Sequence, residues 1–182
     1  MVDKRALLTE TALQLFYKKG INSVGINEVL QVSGVAKKTL YNHFASKDAL
    51  ILATLTARDE VFINWISEQL DQAMNHNEVV DRLFLSLSNW FNDKVPELTP
   101  FKGCFFINAS AECSPHSDEV AQYCRKHKSK VRETIRSKLP GYSDEIIDGL
   151  CLLKEGAIAT AFVSGDKKAA DKCLPLALKL IQ

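Results

Sequence analysis

The chain has 182 residues, of which 46% are hydrophobic and 25% are charged, and its formal net charge is +1. This length and composition support a packed core in one or two globular domains. The first residues lack the apolar segment of a signal peptide, no apolar run approaches the ~18 residues that a membrane helix needs, and five scattered cysteines argue against a secreted disulfide framework. We therefore expect a cytoplasmic protein without membrane association.

Positive charge is concentrated near the N-terminus. Residues 1–58 carry eight Lys or Arg and four Asp or Glu, whereas the rest of the chain carries 15 and 18. A basic N-terminal unit joined to a mildly acidic body indicates an anionic partner for the first part.

Apolar residues follow helical spacing along nearly the whole chain, and no alternating strand pattern appears. In the N-terminal part the spacing predicts one helix that ends near Lys19 and two short helices over 27–33 and 37–44. A long helix capped by Ser46 is predicted to reach about residue 75. Later helices are predicted over 78–94, 101–113, 117–139, 144–164 and 167–181. The expected fold class is all-α, with about nine helices.

The second and third helices are joined by Ser33-Gly34-Val35-Ala36, which has the length and glycine content of a helix-turn-helix. In that motif the second helix enters the major groove of DNA. Burial of Leu40 and Phe44 leaves an outward arc of hydrogen-bonding side chains on the third helix, namely Lys37, Lys38, Thr39, Tyr41, Asn42 and His43. The pattern predicts double-stranded DNA as a partner; the alternative is a solvated polar face in an ordinary helical bundle.

Lys47 lies next to Ser46 at the start of the fourth helix. Backbone N–H groups at a helix N-terminus, together with a lysine, can hold a phosphate. Lys47 is therefore predicted to contact the DNA backbone.

The run ALQLFYKKGINSVGINEVLQVSGVAKKTLYNHFASKDAL resembles the N-terminal domain of TetR-family transcriptional regulators. The resemblance implies phosphate contacts by Thr39 and Tyr41 and base contacts by Lys38, Asn42 and His43, with Lys37 and Lys47 also at the DNA. It implies a helix-turn-helix domain over 1–46 and a helical effector-binding and dimerisation domain over 47–182. It further implies a repressor that binds an inverted repeat.

In similar proteins the fourth to seventh helices enclose an effector pocket. Helical spacing would place Phe101, Phe105, Asn108 and Glu112 on one face, with the last two as polar anchors on an aromatic stripe. Trp65 and Trp90 complete the predicted site for a small apolar or aromatic effector. The alternative is that these aromatic residues form ordinary core and that the two polar residues bond to backbone or face solvent.

The last two predicted helices carry broad apolar bands, with Ile147, Leu150 and Ala157 on one and Leu174 and Ala177 on the other. In similar proteins the C-terminal pair of helices forms a homodimer interface, and a symmetric operator requires two reading helices. The alternative is burial within one subunit.

Cys104 follows Lys102 and Gly103 in the first turn of a predicted helix, a setting that favours reaction with oxidants or electrophiles. The alternative is a small buried hydrophobe.

Two Cys-x-x-His pairs, Cys113 with His116 and Cys124 with His127, have a composition that can bind a thiophilic metal. Pro115 interrupts the first pair, and we expect no metal. The sequence contains no Gly-rich phosphate loop and no nucleophile-elbow arrangement, so no enzymatic activity or cofactor is expected. A helical adaptor that does not bind DNA is the competing class.

Overall fold

The computed structural model describes residues 3–98, 100–113 and 117–182. Within these residues the protein forms nine α-helices and one short 3-10 helix, Pro96–Leu98, and has no strand. The all-α prediction is therefore confirmed. The helices are α1 (Lys4–Lys19), α2 (Ile26–Ser33), α3 (Lys37–His43), α4 (Lys47–Asp71), α5 (His76–Phe91), α6 (Phe105–Cys113), α7 (Asp118–Lys138), α8 (Asp144–Val163) and α9 (Ala169–Leu180).

The helices divide between two compact units. The first unit comprises Met1–Glu60 and Phe105–His127, and the second comprises Val61–Cys104 and Lys128–Gln182. Consequently α4 and α7 each contribute to both units. The predicted boundary between residues 46 and 47 separates a DNA-binding domain from an effector-binding domain. The division into compact units does not test this assignment of functions, which stays a prediction.

The core of the first unit joins α1, α2 and α3 through apolar side chains that are at most 2% exposed: Leu8, Phe16, Val29, Leu40 and Phe44. Gly20 and Gly34 follow α1 and α2 with φ of 89° and 67°. This region of backbone space is open to glycine at little steric cost, so both helices end sharply.

The helix α4 ends at Asp71, four residues before the predicted end, because Asn75 caps the next helix instead. Asn75 Oδ1 accepts a hydrogen bond from the Glu78 N–H at 3.0 Å, and Glu78 Oε2 accepts one from the Met74 N–H at 2.9 Å. These reciprocal bonds satisfy N–H groups at the start of α5.

The helix α6 begins at Phe105 rather than at residue 101, so the predicted helical face is wrong at Phe101. Gly103 has a positive φ of 79°, which ends any helical path through it. A Cβ at residue 103 would lie 2.9 Å from Cγ of Phe162, so the backbone approaches that ring too closely for another residue. The N–H of Phe101 instead donates to Asp93 Oδ1 at 2.7 Å.

In the second unit, α5, α8 and α9 pack against one another. Four of the five residues named in the apolar bands predicted as a dimer interface are core within this unit. Ile147, Leu150, Ala157 and Ala177 are at most 1% exposed, and Leu174 is half-buried. The buried residues correspond to the alternative of burial within one subunit, and a homodimer interface on the last two helices stays a prediction. None of the helices in the described residues combines the length and apolar character needed to cross a membrane.

Candidate nucleic-acid interface and effector region

The helix α3 presents the predicted polar arc to solvent. Leu40 is fully buried, and Phe44, the residue after the helix, is 2% exposed. Five of the predicted DNA-contacting residues are exposed, and Thr39 is half-buried; the exposed ones are Lys37, Lys38, Tyr41, Asn42 and His43. Two cations and several hydrogen-bond donors therefore share one outward surface, as base and phosphate recognition requires.

The side chain of Lys47 is bonded within the first unit. Its Nζ donates to the carbonyl oxygen of Ile21 at 2.7 Å and lies 5.8 Å from the centre of the Phe16 ring. The ammonium thus ties the start of α4 to the loop between α1 and α2. The phosphate contact of Lys47 stays a prediction. The ammonium would make this contact in addition to its hydrogen bond to Ile21.

Arg5 is a cation near α3 that sequence reasoning missed. The Arg5 guanidinium lies 5.0 Å from the centre of the Phe44 ring. A cation over a ring face is favourable by about 0.5–1 kcal/mol at an exposed site. Nothing in the local sequence relates residue 5 to residue 44, because the contact depends on how α1 packs against α3.

Three predicted effector residues lie together in the second unit, in an aromatic cluster made of Phe62, Trp65, Trp90, Phe91 and Phe101. The Trp90 ring centre lies 6.2 Å from that of Trp65 and 5.0 Å from that of Phe101. Trp90 Nε1 donates to the Leu98 carbonyl oxygen at 3.2 Å. Trp90 is 1% exposed and densely packed, as expected if it belongs to the hydrophobic core and does not line an effector pocket.

The other three predicted effector residues lie on α6 in the first unit. Phe105 is buried, and its ring meets that of Tyr17 edge-on at 5.9 Å. Asn108 is half-buried. Glu112 Oε2 accepts a hydrogen bond from the backbone N–H of Asn22 at 2.8 Å. The effector assignment of all six residues stays a prediction.

A groove of about 220 Å³ in the second unit adjoins Trp65 and was not predicted. Polar side chains from α4, α5 and the segment after α5 supply much of its wall. Its lining residues are Trp65, Gln69, Ser86, Asn89, Lys94, Val95, Pro96 and Glu97. Sequence spacing could have placed Trp65 and Gln69 on one face of α4, but not the later segment opposite them.

Cys104 lies in a cluster of charged groups in the second unit. Lys128 Nζ is 3.3 Å from Cys104 Sγ and 2.7 Å from Glu155 Oε2. Burial lowers the pKa of the Lys128 amine, but Cys104 and Glu155 raise it and outweigh burial. Burial raises the pKa of Glu155, and the ammonium groups of Lys154 and Lys128 bring it below its ordinary value. The sulfur therefore faces a lysine that is held as a cation.

A buried polar pair in the first unit was also missed. His127 Nδ1 and Asp59 Oδ1 are 2.7 Å apart, both residues are at most 2% exposed, and the Phe106 ring stacks on the imidazole at 3.4 Å. In the predicted Cys-x-x-His pairs, His116 lies outside the described residues. No group of three potential metal ligands occurs in the part of the chain that the structure describes.

An exposed apolar surface runs along α8 and α9 on the side away from their shared core. We call it the C-terminal apolar face and define it by Leu152, Gly156, Val163, Leu176 and Leu180. Leu152 is 73% exposed and Leu176 is 54% exposed. A Cβ at Gly149 would lie 3.0 Å from Leu180 Cδ1, so the exposed edges of the two helices adjoin.

Residues 8–54, which contain most of α1, all of α2 and α3, and the start of α4, match the family model described as bacterial regulatory proteins, tetR family. Residues 8–54 therefore form a domain of the TetR family. This match confirms the resemblance inferred from the helix-turn-helix residues. Proteins that carry this domain are transcription regulators, so the match favours a regulator over an enzyme.

Relatives of this chain include two curated regulators. It is 25% identical over 128 residues to the uncharacterized HTH-type transcriptional regulator YezE of Bacillus subtilis (strain 168), an alignment that covers 70% of this chain and 64% of YezE. It is 27% identical over 139 residues to the HTH-type transcriptional repressor ComR of Escherichia coli (strain K12), covering 75% of this chain and 63% of ComR. The alignments thus span less than two thirds of these relatives.

A solved structure extends the fold similarity to nearly the whole chain. The TetR-family transcriptional regulator SCO4454 from Streptomyces coelicolor superposes with a TM-score of 0.84 at 27% sequence identity. The superposition covers 98% of this chain and 94% of that one. The helical body after the helix-turn-helix therefore also has the architecture of a TetR-family regulator.

Proposed function

We propose that this protein is a DNA-binding transcriptional repressor that acts in the cytoplasm as a homodimer on an inverted-repeat operator. The observation that carries the proposal is the exposed arc of Lys37, Lys38, Tyr41, Asn42 and His43 on a helix whose opposite side is buried. The family membership of residues 8–54 supports the same function. The repressor role rests on the similarity to ComR, which is named a repressor.

Dimerisation is supported by the C-terminal apolar face. A contiguous apolar surface on two neighbouring helices suggests a protein interface, because monomeric proteins rarely leave such surfaces uncovered. A twofold dimer would provide two α3 helices, as an inverted repeat requires. In this proposal Leu152 and Leu176 of one subunit pack against the same face of the partner.

The test of the proposed function is selection from a library of randomised DNA duplexes. We expect the selected sequences to contain an inverted repeat whose half-site centres lie one helical turn apart, about 34–36 Å, or a multiple of this. Enrichment of no sequence, with binding no stronger than that of a bovine serum albumin control, would favour a helical adaptor over a DNA-binding regulator.

Base and phosphate contacts should separate in a substitution panel. Lys38→Ala and Asn42→Ala should each change the preferred base at one position per half-site, by about 1–3 kcal/mol. Tyr41→Phe should instead weaken binding to all sequences alike, because a phosphate contact carries no sequence information. Affinities for the selected operator and its single-base variants measure both effects; a uniform loss for Lys38→Ala would contradict its assigned role.

For the release step, the proposal is a small apolar or aromatic effector that also carries a polar group. Its proposed contacts in the second unit are Trp65, Trp90 and Phe101. The α6 residues Phe105, Asn108 and Glu112 belong to the first unit and stay a separate prediction. Binding can shift DNA affinity only by the effector's differential affinity for two states of the protein, typically about 1–3 kcal/mol.

A second candidate for the release step is covalent modification of Cys104 by an electrophile, favoured by the 3.3 Å contact from Lys128 Nζ. An ammonium that donates to sulfur stabilises the thiolate, which is the reactive form. With a maleimide, the thiolate sulfur would bond to one alkene carbon, and the other carbon would take up a proton as the double bond is lost.

Cys104→Ser should abolish any maleimide-induced loss of DNA binding. Lys128→Met should slow addition at Cys104 by about tenfold, because the cation that stabilises the thiolate is removed. Mass spectrometry of the labelled peptide measures the rate, and Lys126→Met, a change at an exposed lysine on the same helix, is the control. Equal labelling rates in the wild type and Lys128→Met would contradict this candidate.

A further inference from the structure

Two hydrogen bonds within the first unit, both donated by Asn22, join the loop between α1 and α2 to the end of α6. Glu112 Oε2 accepts from the Asn22 backbone N–H at 2.8 Å, and the Glu112 carbonyl oxygen accepts from Asn22 Nδ2 at 3.2 Å. We call these two bonds the Asn22–Glu112 clasp. Its partners are 90 residues apart in sequence.

Each bond of the clasp satisfies a group that its own helix leaves open. The carbonyl groups in the last turn of a helix have no N–H partner within that helix. The side-chain amide of Asn22 donates a hydrogen bond to one of them. A carboxylate near a helix C-terminus is electrostatically unfavourable. The N–H of Asn22 compensates for the position of the Glu112 side chain through a charge-assisted bond.

The loop is shaped to admit the Glu112 carboxylate. Gly20, which ends α1, has a φ of 89°, and a Cβ at this position would lie 3.3 Å from Glu112 Oε2. Glycine is therefore suited to residue 20 by both its backbone conformation and the close approach of the carboxylate. From another side, Lys47 Nζ donates to the Ile21 carbonyl oxygen at 2.7 Å. The loop is thus bonded to the start of α4 and to the end of α6.

We propose that Glu112 and Asn22 are positioning residues that couple the end of α6 to the DNA-reading helices. The α1–α2 loop leads directly into α2, and α2 packs against α3. A displacement of the last turn of α6 would pull on this loop through the clasp. By reciprocity, DNA that fixes α2 and α3 also fixes the end of α6. This coupling rests on the proposed DNA-binding function.

Amide hydrogen exchange measured by NMR tests the clasp without DNA and the coupling with DNA. In the free protein, Glu112→Ala should speed exchange of the Asn22 N–H by about tenfold, because its acceptor is lost. In the wild type, saturation with the selected operator should slow exchange of the α6 amides of residues 109–113 by about fivefold or more. In Glu112→Ala this DNA-dependent slowing should disappear at saturating operator.

Three further variants sharpen the result. Asn22→Ala removes the side-chain donor and keeps the backbone one, so it should weaken the DNA-dependent slowing, and Glu112→Gln keeps an oxygen acceptor and should restore part of it. Glu119→Ala removes an exposed carboxylate elsewhere in the same unit and should behave as the wild type.

Two results would overturn the coupling alone: an Asn22 N–H that exchanges equally in Glu112→Ala and wild type, or an undiminished DNA effect on α6 in that variant. Failure of the wild type to bind any DNA would instead overturn the proposed function, and the coupling with it.

Discussion

Leu152→Glu combined with Leu176→Glu should weaken operator binding by about 100-fold or more. Both leucines are exposed in the single chain, 73% and 54%, so the substitutions leave the core of the subunit intact. In a dimer they would place four carboxylates in an apolar interface, where unpaired charges are strongly unfavourable. Joining two half-site contacts in one assembly strengthens binding by about 10²- to 10⁴-fold, and a monomer loses this gain.

Sedimentation and operator titration should report this change together. The double variant should sediment as a monomer while its helical content and unfolding transition stay close to those of the wild type. Leu85→Glu is the matched control, since Leu85 is 58% exposed on α5, outside the C-terminal apolar face. A double variant that remains a dimer with wild-type operator affinity would assign the interface to another surface.

Trp90→Ala should lower the free energy of unfolding by about 3–5 kcal/mol. The indole is 1% exposed, and its ring centre lies within 5.0–6.2 Å of those of Phe62, Trp65, Phe91 and Phe101. Its removal would leave a cavity among these rings, and the Leu98 carbonyl oxygen would lose the hydrogen bond from the indole N–H. Urea unfolding followed by circular dichroism measures the loss.

The same experiment distinguishes core from pocket at this position. Met74→Ala, at a residue that is 87% exposed, should change the free energy of unfolding by less than about 0.5 kcal/mol and serves as the control. If Trp90→Ala lowers the free energy of unfolding by less than about 1 kcal/mol, the indole ring is loosely packed, as expected of a residue that lines an effector pocket. The predicted role of Trp90 in effector binding would then gain support over the core alternative.

The DNA-reading part of the fold could be predicted because its determinants are local. Gly34 marks a left-handed turn within the motif, and Leu40 and Phe44 are one helical turn apart, so the sequence itself indicates which side of α3 is buried. The exposed arc follows from that burial. This is why the predicted α3 residues and the observed exposed residues agree so closely.

Contacts between distant segments could not be predicted by the same means. Lys47 bonds to Ile21 across 26 residues, Glu112 to Asn22 across 90, and His127 to Asp59 across 68. Helical spacing identifies a buried face but carries no information on which segment covers it. The start of α6 was misplaced for a related reason, since the close approach of Gly103 to Phe162 is a tertiary constraint.

The most direct measurement of the central claim is a fluorescence anisotropy titration of the wild type, at one fixed salt concentration, with the selected inverted repeat and with a duplex of equal length that retains one half-site. If two α3 helices read one operator as a dimer, the full repeat should bind about 100-fold more tightly or better, with two chains per duplex. Equal affinity for the two duplexes, or one chain per full repeat, would contradict the account.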